Sequence, residues 1–206
     1  MHLLLNNLLK KGVTKGNSQI LSEIELKELE SLINKISKNS LNKLGVFNNI
    51  IGIDKRIDEL LEKIISNQEV KDILLKLLGK NYLLRHVSVR YNTPDDKGLA
   101  MHQDSIGEVS LTILLNNQNQ GSTFFFPGSQ LIPYNKNLAE KVSWNSLKLI
   151  NLLKFFFISA RGKAGSYYYF LNRTWHGRLP GKKNNTNLSL FFAFFPVSAN
   201  RIDLIK

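Results

Sequence analysis

The chain has 206 residues, a length that suits a single domain 1–206 with a real core and a helical annex. It is 43% hydrophobic and 21% charged, ordinary for a soluble globular protein, and it has no cysteine, which excludes disulfides, cysteine–zinc sites, iron–sulfur clusters and thiol catalysis. The net charge of +12 invites a nucleic-acid reading, but the lysines are scattered among Asn, Ile and Leu as in a biased composition, and the densest clusters, Lys10-Lys11 and Lys182-Lys183, are only dipeptides.

In chain order, Met1-His2-Leu3-Leu4-Leu5 is interrupted by Asn6 and Asn7 and follows no basic region, so it makes a poor signal peptide. Ile20, Leu21, Ile24, Leu29, Leu32, Ile33 and Ile36 recur at three- and four-residue steps, which predicts an amphipathic helix over residues 18–38, with Asn17 or Ser18 as a candidate cap and Ser22 either inside the helix or near its start. After an Asn/Gly-containing connector, Asp54 opens a second helix with Ile57, Leu60, Leu61, Ile64 and Ile65 on its apolar face. A third, over residues 69–78, ends at Gly79. These stripes are packing surface that needs a partner.

From residue 81 the texture changes to short β-type runs. Strands are expected over residues 82–91, 109–115, 122–126, 167–171 and 187–195, punctuated by Asn92-Thr93-Pro94, Pro127-Gly128 and Pro196, with a helical insertion near 138–154. Strands in succession, without a helix between each pair, predict an antiparallel sandwich or barrel over residues 81–200, with the helical region 1–80 packed on it. No apolar run approaches the ~20 residues that span a bilayer, and a cytoplasmic location is expected.

The chemistry is concentrated in His102-Gln103-Asp104 and the distant His176. Residues i and i+2 project to one face of an extended segment, so His102 and Asp104 can reach one metal from one strand end. Two imidazoles and a carboxylate are the ligands of a 2-His-1-carboxylate triad, which holds one face of an octahedral Fe(II) and leaves three positions open. An isolated H-x-D is weak alone. His2 and His86 read as surface or hydrogen-bonded histidines, although His86 lies on a strand and can face core or site. Tyr167, Tyr169, Trp175 and Phe191 or Phe192 are candidates to line a pocket, though aromatic strand residues are more often core.

What raises the triad is its surroundings. Arg90-Tyr91-Asn92, then Met101-His102-Gln103-Asp104-Ser105, then the stretch from Gly121 through Pro127-Gly128-Ser129-Gln130, and finally Gly165-Ser166 with four aromatic residues and Asn172-Arg173-Thr174-Trp175-His176-Gly177, occur in a fixed order. From about residue 85 onward this order resembles the phytanoyl-CoA dioxygenase-like branch of the Fe(II)/2-oxoglutarate oxygenases. The resemblance implies a mainly β, double-stranded β-helix (jelly-roll) core with N-terminal α-helices. It further implies Fe(II) held by His102, Asp104 and His176, 2-oxoglutarate and O2 as cosubstrates, and a small-molecule substrate; Asp104 favours hydroxylation, since related halogenases lack that carboxylate.

Two positions depart from the family pattern. Gln130 stands where histidine is usual, in a segment read as a structural turn. Asn187, in Asn187-Leu188-Ser189, stands where an arginine pairs with the far carboxylate of 2-oxoglutarate. A neutral amide cannot replace a guanidinium clamp worth roughly 1.5–3 kcal/mol. Arg178, two residues from His176, is the first substitute expected; Arg90 and Lys183 follow, with Ser189 adding a hydroxyl. Two other readings stay open: a catalytically degenerate jelly-roll metal- or ligand-binding protein, and a basic interaction module.

Overall fold

Alternation along the strands decides which side chains face which layer. On the strand Tyr82–Asn92 (β3), Val87, Val89 and Tyr91 join the large core, while Ser88, Arg90 and Asn92 point the other way. The same split holds on Val109–Leu114 (β5), Tyr167–Leu171 (β8) and Asn187–Pro196 (β10), so one sheet presents an apolar outer face and a mixed inner one. The computed structural model describes residues 1–37, 45–104, 107–119, 123–133, 156–181 and 186–197. The helical insertion expected near 138–154 lies outside the described residues, as do Ser105, Gly121, Ser122 and Lys183.

The larger sheet has six strands in the order β1-β8-β5-β10-β3-β2, adding Val13–Lys15 (β1) and Val46–Phe47 (β2). The smaller has four, β4-β9-β6-β7, from Leu99–His102 (β4), Thr123–Phe125 (β6), Ile158–Ser159 (β7) and His176–Arg178 (β9). Every pairing is antiparallel. Along β4, β5 and β6, and again along β8, β9 and β10, the chain steps between sheets, which is the winding of a double-stranded β-helix. Val13, Leu114, Tyr168 and Phe170 of one sheet meet Phe125 of the other in an apolar plug between them.

Four helices precede the core: His2–Lys11 (α1), Glu23–Ser37 (α2), Lys55–Ser66 (α3) and Gln68–Leu78 (α4). Their Leu/Ile stripes and the outer face of the larger sheet share one buried cluster, as the sequence demanded. Asp54 caps α3 by accepting from the Arg56 and Ile57 amides, and Gly79 takes the positive φ that ends α4.

Helix α2 begins at Glu23, with Ser22 at its start rather than inside it and the cap later than Asn17 or Ser18. Ser22 and Glu25 cap it reciprocally: Ser22 Oγ accepts from the Glu25 amide at 3.3 Å, and Glu25 accepts from the Ser22 amide at 2.9 Å. Residues 18–21 lie before it, where Ser18 bonds the Tyr167 hydroxyl. The region before residue 81 is also not purely helical, because β1 and β2 extend the larger sheet at its two edges.

Candidate metal centre

Three short segments bring the expected ligands together. His102 ends β4 and His176 opens β9, and the two are register partners in the smaller sheet. Asp104 follows two residues on, its amide donating to the Asn172 carbonyl at 2.9 Å. His176 Nε2 lies 3.3 Å from Asp104 Oδ2, His102 Nε2 lies 3.6 Å from Asp104 Oδ1, and one ligand atom from each residue falls within 4.8 Å of the other two. His102 precedes β5 and His176 follows β8, and each also belongs to a short strand of its own.

Both imidazoles are held in the same manner. His102 Nδ1 contacts the Ala100 carbonyl at 2.8 Å and His176 Nδ1 contacts the Thr174 carbonyl at 2.8 Å. A carbonyl only accepts, so Nδ1 carries a proton, and Nε2 is the nitrogen that each ring turns toward Asp104. Burial, with the neighbouring His176, pushes His102 down to about 4, which keeps it in the neutral, ligating form. Burial raises the Asp104 carboxyl, but the adjacent His176 and His102 imidazoles and the Arg90 charge outweigh it and hold Asp104 down to about 2. Two imidazole nitrogens and an ionised carboxylate oxygen fit a divalent metal such as Fe(II).

The triad opens onto a cavity of about 320 Å³ between the sheets. Arg90, Arg178 and Thr123 line one end, and Arg85, His86 and Glu108 the other. Arg178 pairs with Asp96, Nε to Oδ2 at 2.9 Å, and both side chains are buried. Asn92 donates to the same Asp96 carboxylate at 2.9 Å. Arg90 is different. No carboxylate of the described residues lies within ion-pair distance of it, and its guanidinium rests 5.4 Å from the Phe191 ring centroid. Burial and the nearby Arg178 charge push Arg90 down to about 10.

Register places Arg90 directly beside Ser189, the partner of Asn187 in the departing motif. Ser189 Oγ accepts from Gln118 Nε2 at 3.0 Å, and Asn187 is buried at the start of β10. The sequence reading ranked Arg178 ahead of Arg90; the Arg178–Asp96 pair was not legible, because the partners are 82 residues apart.

Other expectations sort by strand face. Phe191 lines the cavity, and so does His86, which sequence left open. Tyr167, Tyr169 and Phe192 instead belong to the core beneath the helices, and Trp175 packs with Met101 and Phe124, so these do not line the cavity. Gln130 proves structural: its amide donates to the Leu9 and Lys10 carbonyls at 3.0 and 3.1 Å, closing the C-terminal end of α1. Beside it, Ser129 Oγ accepts from the Trp175 amide at 2.8 Å and so steadies the segment that carries His176.

No protein-family model matches the sequence, and no curated protein is detectably similar to it. Solved structures do share the fold. HygX from Streptomyces hygroscopicus, with nickel and 2-oxoglutarate bound, superposes with a TM-score of 0.75 at 12% identity, over 100% of this chain and 94% of its own. SnoN, a non-heme α-ketoglutarate-dependent epimerase from nogalamycin biosynthesis, gives 0.71 at 14% identity, over 95% of this chain and 82% of its own. EvdMO1 gives 0.71 at 14% identity over 95% of this chain, which spans only 50% of that protein. At these identities the likeness establishes the fold alone.

Proposed function

We propose that the chain is an Fe(II)- and 2-oxoglutarate-dependent dioxygenase that hydroxylates a small molecule, with His102, Asp104 and His176 as the iron ligands. The observation that carries this reading is the convergence of three donors from β4, the segment after it and β9 at one cavity, with each Nε2 turned toward Asp104. HygX and SnoN support it, since one is bound to 2-oxoglutarate and the other depends on it. When bound, the iron supplies oxygen activation coupled to oxidative decarboxylation of the oxo acid. The protein supplies ligand geometry, a partly closed cavity and a counter-charge.

That counter-charge is assigned to Arg90. A carboxylate moved out of water without a cation costs several kcal/mol. Arg178 is already matched by Asp96, whereas Arg90 faces the cavity one strand over from Asn187 and beside Ser189. The guanidinium that the family carries on the last strand is, in this reading, moved to its neighbour β3. On this assignment the clamp is relocated rather than lost, which is the ground for preferring it to the degenerate reading. Within the described residues no helix is long and apolar enough to cross a membrane.

The test uses protein loaded with Fe(II) under argon. Adding 2-oxoglutarate should produce the weak visible charge-transfer band of the metal chelate, and Asp104→Ala should abolish it. Arg90→Ala should weaken the 2-oxoglutarate titration by ~10- to 100-fold, the loss of one charge-assisted contact. Asn187→Arg in that background should restore part of it. A wild type with no band, or an Arg90→Ala variant that titrates unchanged, overturns the assignment it addresses.

A further inference from the structure

The cavity has a second end that the triad and Arg90 do not use. Across the larger sheet, His86, Ala193, Ser110 and Phe170 form one row, four residues along β3 and β10 from the Arg90–Ser189 row, or roughly 13 Å at strand rise. Glu108 and Asn172 border that row and also line the cavity. The Asn172 amide donates to the Glu108 carbonyl at 3.0 Å, and the Asn172 carbonyl receives the Asp104 amide, so the pair is tied by backbone to a metal ligand.

Both side chains are nearly sealed, Glu108 at 6% exposure and Asn172 at 1%. The Asn172 side chain lies close enough to the Glu108 carboxyl to lower its pKa against the effect of burial. Asn172 Oδ1 is left buried with no donor among the described residues. A buried acceptor without a donor costs about 1–3 kcal/mol, so its persistence on a cavity wall points to a donor that arrives with a ligand. Burial and the Asp104 charge raise the Glu108 carboxyl to about 7, which keeps a share of it protonated and able to donate as well as accept. Arg85 stands at the same end, which sets this corner against cationic groups.

We infer that Glu108, Asn172 and His86 form a substrate subsite that takes the hydroxyl groups of a neutral polyol or sugar, presenting a carbon next to those hydroxyls to the metal face. The subsite belongs to the centre proposed above and rests on that reading. An acyl chain or other hydrocarbon offers Asn172 no donor, and an ammonium group meets Arg85. A vicinal hydroxyl pair satisfies both requirements, one O–H donating to Asn172 Oδ1 and another bonding the Glu108 carboxyl.

The experiment is ligand-observed saturation-transfer NMR on Zn(II)-loaded protein, with and without 2-oxoglutarate, using myo-inositol, methyl glucoside, glucosamine and cyclohexanol as probes. The neutral polyols should bind more tightly than cyclohexanol and glucosamine. Asn172→Leu and Glu108→Leu should each weaken polyol binding by about tenfold, one lost hydrogen bond. Glu108→Gln should retain most of it, and Ala193→Met should block it by bulk while leaving every polar group in place. Thermal melting identifies any variant that fails to fold, and Ala193→Met then carries the test. Equal binding of cyclohexanol, preference for glucosamine, no polyol binding, or polyol binding indifferent to these variants overturns the subsite. Parallel Zn(II) and 2-oxoglutarate titrations keep the two readings apart: polyol binding without them removes the oxygenase and leaves the subsite, and the converse removes the subsite alone.

Discussion

Glu108 illustrates how a single side chain reports its surroundings. Its carboxyl moves from an ordinary value of 4.5 to about 7 because burial penalises the charge and Asp104 repels it. The folded metal-free protein therefore holds this proton more tightly than the unfolded chain does. The associated stability is fully present below about pH 4.5 and is lost as pH rises through about 7. Glu108→Gln cannot ionise, so its advantage over wild type should grow between pH 5 and pH 8, by on the order of 2 kcal/mol. Urea unfolding at both pH values with a chelator present measures it; a difference that stays constant with pH would contradict the buried-carboxyl account. At this scale the sequence was legible where residue chemistry and spacing coincide. His102 and Asp104 declare themselves by spacing two apart, and His176 by the motif around it. Glu108, Asn172 and the Arg178–Asp96 pair carry no such signature, because what distinguishes them is burial and long-range pairing.

Among elements, the long strands and the helices α3 and α4 were readable because their apolar period is sustained. The strands β1, β2, β4, β7 and β9 have two to four residues each, too few for alternation to register. Helix α1 was hidden by its Asn6-Asn7 interruption, which lies between the buried Leu4 and Leu8. Yet β9 supplies one of the proposed ligands, and its geometry depends on a residue with no side chain. A Cβ on Gly177 would lie 2.7 Å from the Leu99 carbonyl oxygen and 2.7 Å from the Phe124 ring. Gly177→Ala must therefore push β9 off β4 or displace the ring, and either shift moves the adjacent His176. We expect about 1–3 kcal/mol of destabilisation, typical of overpacking, together with weakened Zn(II) binding. Unfolding titrations and competition with a chromogenic chelator read the two effects, and unchanged metal affinity would show that His176 is anchored independently by Thr174 and Trp175.

At the scale of the whole molecule, the N-terminal segment is tied to the candidate metal centre rather than merely packed on the sheet. Strand β1 covers the edge of β8, burying Val13 in the plug between the sheets, while Leu4 and Leu8 of α1 join the large core. The Gly12 carbonyl accepts both the Leu171 amide at 2.9 Å and Thr174 Oγ1 at 3.0 Å, and Thr174 in turn holds His176 through its own carbonyl. Removing residues 1–16 should therefore do two things at once. It uncovers the β8 edge and forfeits the burial of Leu4, Leu8 and Val13, at roughly 1.5–3 kcal/mol each, a sum comparable to the total stability of many domains. It also frees the turn that aims His176. The truncated chain should self-associate in sedimentation experiments, unfold at much lower urea, and bind Zn(II) weakly even where it remains folded. A monomeric truncation with native-like unfolding and undiminished metal binding would mean that the jelly-roll core sets its own ligand geometry and that α1 and β1 are dispensable to it.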